Sequence, residues 1–224
     1  MSRAQIDAVA AHARAIFPAG TTWKTPDGYP GSLALCILDS IWSIGVNYDR
    51  HVIPVLSRYR GIGSAAGRDP DFDTPADLAL TIERCGGPDL FAEAVGSRHR
   101  TSSRNGILKA EAVDAAARLL CSQGILTAID LADREAAVKP DWLRIRGQSS
   151  GVSWKYFLML AGIDGIKPDR MIHGFISGVI GAAVTNEEAV EILTCVQRAW
   201  PEPRPTLLEL DHAIWLHQSG RTTA

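Results

Sequence analysis

Gly147–Phe175 reads GQSSGVSWKYFLMLAGIDGIKPDRMIHGF. A polar, glycine-containing turn, Ser149-Ser150-Gly151-Val152-Ser153, runs into an apolar segment from Trp154 to Ala161. A second turn, Gly162 to Pro168, precedes a helical pattern that opens at Asp169. Turn-to-helix entries of this kind present backbone N–H groups at the helix start, where anions bind. One ionisable side chain stands near each start, Lys155 on the first helix and Asp169 on the second. They are separated by one helix and one loop, a spacing that allows both to face a common cleft.

Outward from this segment the pattern is helical throughout. Ile6, Val9, Ala10, Ala13, Ile16 and Phe17 share a face, which predicts an amphipathic helix over 3–17. A Pro- and Gly-rich loop from Pro18 to Gly31 follows, and Ser32 is placed to cap a helix from Leu33 to Ile44 that is apolar nearly all round. A single helix is expected over Asn47–Arg60, a surface loop over Gly61–Asp73, and a helix start at Thr74-Pro75-Ala76-Asp77. Short helices are expected over Asp89–Val95 and Ile125–Ala132, with a longer one between them at Lys109–Gln123. Past Asp169 the helix runs to about Ile180, and Thr185-Asn186-Glu187-Glu188 is a capping box for another reaching Trp200. The last helix covers Thr206–His217, and Gln218–Ala224 is expected to be a frayed tail. Period-2 alternation, repeats and low-complexity tracts are missing. The fold class is therefore all-α.

The central stretch resembles the hairpin and catalytic-aspartate region of the helix-hairpin-helix DNA glycosylases, the endonuclease III-like superfamily. Ser150-Gly151-Val152-Ser153-Trp154-Lys155-Tyr156-Phe157 stands where that family has Leu-Pro-Gly-Val-Gly-x-Lys-Thr-Ala, with Ser153 replacing the second glycine. Ile166-Lys167-Pro168-Asp169-Arg170-Met171-Ile172 stands where it has Val-Asp-x-His-Val. Thr74-Pro75 with Leu78 is similar to the family's Thr-Pro-x-x-Leu, and Lys109-Ala110 to its (Asn/Ser)-x-Lys-Ala turn. The family's wedging Gln falls near Ile41. The resemblance covers roughly residues 30–217. It implies a single glycosylase-like domain of two helical lobes flanking a groove, one about 31–160, the other about 1–30 plus 161–224. It implies double-stranded DNA as partner and base excision by N-glycosidic cleavage, with Asp169 catalytic and Lys155 the nucleophile of a lyase step. Gly151, Val152 and Ser153 would offer N–H groups to a DNA phosphate. The alternative is a non-catalytic helix-hairpin-helix module that binds DNA or protein.

Each candidate residue also has an ordinary structural reading. Asp after Pro at a helix start is an N-cap, and capping is compatible with catalysis because a helix N-terminus favours a carboxylate's charged form. Lys155 beside Trp154 and Tyr156 fits a surface lysine whose stem lies on apolar rings. Arg98, Arg100, Arg104 and Lys109 form a run without acids, suited to phosphates or simply to solvent. Trp42, Tyr48 and Tyr156 could stack on an extruded base or fill a core.

Composition sets the outer bounds. The 224 residues are 46% hydrophobic, enough for a sizeable core, and the formal net charge of −2 gives no global attraction to nucleic acid. Any DNA contact must come from a local basic face. Cys36, Cys85, Cys121 and Cys195 lie far apart without a CxxC pair, so neither disulfides, a metal site nor an iron–sulfur cluster is expected, and no other cofactor. The amphipathic N-terminus is not a signal peptide, and the longest apolar run, Phe175–Val184, is too short for a bilayer. A cytoplasmic protein without a membrane partner is the expectation, associated with the nucleoid if it binds DNA.

Overall fold

The computed structural model describes residues 2–25, 27–163 and 165–220; Pro26 and the end of the expected tail, residues 221–224, lie outside them. Among the described residues are twelve α-helices, one short 3-10 turn and no strand, so the chain is all-α. The chain divides into two compact units, Gly28–Ile163 and residues 1–27 together with 164–224, and crosses between them twice.

In the smaller unit, α1 (Arg3–Ile16) is opened by a capping box between Ser2 and Gln5. In the larger, α2 (Leu33–Trp42) is the centre, with every residue buried. Its polar start is secured by the Ser32 hydroxyl, which accepts from the Leu35 N–H at 3.3 Å. A helix apolar on all sides must be surrounded, and α2 packs against α5 (Pro75–Arg84), α7 (Lys109–Ser122) and α9 (Val152–Leu160). Burial of each large side chain, such as Leu35, Ile37 or Ile41, contributes about 1.5–3 kcal/mol.

The expected helix over 47–60 is two pieces, α3 (Tyr48–His51) and α4 (Ile53–Ala65), interrupted at Val52. Pro54 has no N–H for the Arg50 carbonyl, so the ladder breaks there. Helix α4 also outruns its expected end, through Gly61 and Gly63. Gly63 is packed on Pro70; a Cβ there would lie 2.5 Å from the Pro70 ring. The segment expected as a surface loop is therefore partly core. Asp73, 3% exposed, ties it down by accepting from Tyr59 Oη at 2.7 Å and from Arg68 Nε at 3.1 Å. Its carbonyl accepts from Ser32 Oγ at 2.9 Å.

After α5, α6 (Pro88–Ala94) and α7 follow as expected, but α8 (Ala128–Arg144) is seventeen residues long, where a short helix over 125–132 was expected. Pro140 lies inside it and removes one ladder bond. Leu131, Val138 and Trp142, all buried, supply the apolar seam that carries the helix past the proline and the charges at 133–135. The smaller unit is completed by α10 (Arg170–Ile180), α11 (Asn186–Arg198) and α12 (Leu207–Ser219). Helix α10 packs on α1 and α12, around Val9, Phe175, Ile176, Leu193 and Ile214. Thr185–Glu188 and Thr206–Glu209 capping boxes open α11 and α12. No described helix is long and apolar enough to cross a membrane, and no group of three or more His, Cys, Asp or Glu among the described residues could hold a metal ion.

Candidate functional site

The turn between α8 and α9 is built from two successive reversals, Ile145 accepting from Gln148 N–H at 2.9 Å and Gln148 from Gly151 N–H at 3.1 Å. Gly151 takes φ +74° as the N-cap of α9, a left-handed conformation that side chains disfavour. No side chain caps α9 beyond it; the Val152 N–H reaches only the Ser150 hydroxyl, at 3.4 Å. The turn itself is exposed at Ser149 and Ser150. Behind it lies an aromatic wedge: Trp142 stacks on Phe157 with centroids 4.8 Å apart and meets Trp154 edge-on.

Ser153, expected to offer its N–H to phosphate from the second glycine position, is 2% exposed. Its hydroxyl accepts from Trp142 Nε1 at 3.2 Å. The side chain is therefore part of the wedge, which accounts for a serine where the resemblance has glycine. Gly151 and Val152 are half-buried at the turn, and Lys155 is half-buried in the first turn of α9.

The loop carrying the basic run lies against the hairpin turn. Gly147, at φ +87°, faces Thr101 so closely that a Cβ would sit 2.4 Å from the Thr101 side chain. The four cations of the run have different fates, however. Arg98 is held by Asp89 at 2.6 Å and Glu93 at 3.0 Å, acids supplied by α6 rather than by the run. Arg100 donates twice to the Gly106 carbonyl, at 3.0 and 2.6 Å, closing its own loop. Arg104 is exposed.

Lys109 corrects the expectation outright. It is 1% exposed, and its Nζ donates to the Trp42 and Ile44 carbonyls at 2.6 Å each, satisfying the C-terminal end of α2. Burial pushes its ammonium down to about 8. It is a structural donor and has no access to a phosphate.

The expected base-pocket aromatics are corrected too. Trp42 is fully buried and donates Nε1 to Ser97 Oγ at 2.8 Å. Ile41, where the wedging Gln would fall, is also fully buried. Tyr48 and Tyr156 converge with Tyr29 on Asp39, a carboxylate buried in the middle of α2. Its Oδ2 accepts from Tyr48 Oη at 2.7 Å and from Tyr29 Oη at 3.1 Å. Burial, then the Asp39 charge, pushes the hydroxyls of Tyr29 and Tyr48 up and keeps them protonated donors. These phenols are spent on a buried acid. The one signal for it in the sequence is an aspartate, beside Ser40, in the otherwise apolar run Leu33–Trp42.

Asp169 is the N-cap of α10, as its position after Pro168 predicts. Its Oδ1 accepts from the Met171 N–H at 2.8 Å and the Ile172 N–H at 3.2 Å, while Oδ2 lies 3.8 Å from Lys167 Nζ. The side chain is 17% exposed and that of Lys167 12%. Beneath them lies Asp211 of α12, which accepts from the Lys167 N–H at 2.9 Å. Burial, then the Asp169 charge, holds the Asp211 carboxyl well above the usual carboxylate range, against the opposing pull of Lys167. Sequence reading missed Asp211, because its neighbourhood is made by the contact of α10 with α12. Two carboxylates in unlike surroundings is an arrangement that separates a charged role from a protonated one.

The sequence matches a family described as a domain of unknown function (DUF8548) over residues 7–219, and the chain belongs to that family. No curated protein and no solved structure matches it.

Proposed function

We propose that this protein binds duplex DNA through the α8–α9 turn and excises a base from it. The observation that carries the reading is Asp169: a carboxylate fixed by two backbone N–H bonds, with its second oxygen beside a cation and a buried acid beneath, one helix after an uncapped helix-turn-helix entry. The departing base takes the electron pair of its bond to C1′, and positive charge grows on the sugar. Asp169 stabilises that charge and accepts a proton from the nucleophile that joins C1′; the proton ends on the released base. Asp211, holding its own proton, keeps the pair to a single negative charge. The base must first leave the duplex stack, and unpairing is cheapest at a damaged or mismatched base.

Lys155 has the nucleophile's role in this proposal. Attack of its amine on C1′ expels the base with the electron pair of the broken bond, the base takes up the proton that the amine gives up, and opening of the sugar ring leaves an imine that borohydride reduces to a stable adduct. The testing experiment is incubation with a panel of duplexes bearing damaged or modified bases, with released base measured chromatographically and protein–DNA adducts trapped by borohydride. Base release without any adduct would leave water as the nucleophile and remove Lys155 from the mechanism. Salt-sensitive DNA affinity without base release on any duplex would favour the non-catalytic binding module.

A further inference from the structure

In the larger unit a cavity of about 380 Å³ opens between α3–α4 and the turn after α6, and its lining includes no residue of the hairpin turn or of the Asp39 cluster. Its polar lining is Arg50, His51, Arg58, Ser97, Arg98 and His99, and no carboxylate is among the lining residues. His51 Nδ1 and His99 Nε2 are 3.2 Å apart, close enough to share one proton. Arg98 is paired with Asp89 and Glu93 outside the lining, whereas Arg50 and Arg58 form no ion pair among the described residues. Arg58 is held in place: Nη1 donates to the Val95 carbonyl at 2.9 Å, and the guanidinium lies over Gly96, where a Cβ would be 2.5 Å from Nη1. Gly96 is left-handed at φ +65°, so the chain reversal after α6 and the seat for Arg58 both depend on a residue without a side chain.

We propose that this cavity is a binding site for a small phosphate monoester. Two charged guanidiniums and an imidazole pair able to donate N–H supply the forked and single donors that a phosphate's oxygens accept. Gathering cations here costs repulsion that a dianion relieves. The volume exceeds what a bare phosphate fills and falls within the ordinary range for small-molecule pockets. Pro54 and Val55 form an apolar wall for the carbon part of the ligand. The inference does not depend on base excision.

The test is calorimetric titration of the full chain with inorganic phosphate, a deoxynucleoside 5′-monophosphate and the matching deoxynucleoside. The monophosphate should bind more tightly than phosphate, and the deoxynucleoside not at all. In Arg50→Gln/Arg58→Gln the monophosphate affinity should fall at least tenfold. Arg50 is exposed, so Arg50→Gln alone should show part of this loss with an unchanged melting temperature, whatever becomes of the Arg58–Val95 bond. No binding at millimolar monophosphate, or binding by both variants equal to that of wild type, overturns the proposal. So does displacement of the monophosphate by duplex DNA whose own affinity falls in the same variants, since the phosphate read would then belong to the DNA backbone.

Discussion

Lys109 stands among cations in the sequence and yet points inward, because the end of α2 leaves carbonyls that need a donor in a place water does not reach. Nothing in a run of basic residues distinguishes that lysine from its exposed neighbours; the difference lies in where α7 packs. Lys109→Met should therefore lower the unfolding free energy by about 2–4 kcal/mol, from two under-satisfied carbonyls, in urea denaturation. A loss under about 0.5 kcal/mol would place it at the surface after all. Asp169 was legible for the opposite reason, since Pro-Asp before an apolar periodic run is a local signal and its N-cap bonds are local too. Asp211 was not, and it carries a pH signature. Its folded-state affinity for a proton is raised, so its contribution to stability is complete below the ordinary carboxylate value and is lost as pH climbs towards the folded value. Asp211→Asn should gain in melting temperature relative to wild type as pH rises through the range above the ordinary carboxylate value. A gap that stays constant across that range would mean that Asp211 ionises like an exposed acid.

At the scale of elements, capped helices with a clean apolar face were legible: α1, α5, α11 and α12 announce their starts with hydroxyl–acid or hydroxyl–amide boxes. The failures came where tertiary contact overrules a local breaker. The glycines from Gly61 on read as the end of α4, and α8 reads as stopping at Ala132, ahead of its charges and Pro140; both helices continue because Pro70 and Trp142 give them something to pack against. The hairpin turn lies between these cases. Its Gly151 was visible as a turn residue, while the use of Ser153 as an acceptor for Trp142 required two helices to be placed together. Gly151→Ala forces a side chain into left-handed backbone and should cost about 1–2 kcal/mol, with weaker DNA binding as the turn relaxes. Destabilisation without any change in DNA affinity would separate the turn from the nucleic acid.

The whole molecule is mildly acidic, so DNA binding must be supplied by a few placed cations rather than by overall charge. With Lys109 buried, Arg98 and Arg100 committed internally and Arg144 paired with Asp141, the exposed candidates in the basic loop and the hairpin turn are Arg104 and Arg146. Replacing both with Ala should reduce the slope of log affinity against log salt by about two, one for each phosphate no longer neutralised. An unchanged slope would place the DNA elsewhere. The most direct measurement is single-turnover base release by wild type and Asp169→Asn on whichever duplex of the panel is cleaved. Asn keeps the size and the capping oxygen but not the charge, so folding and DNA affinity should persist while the rate falls about 10²–10³-fold. An Asp169→Asn protein that releases base as fast as wild type would contradict the assignment of Asp169 as the catalytic carboxylate.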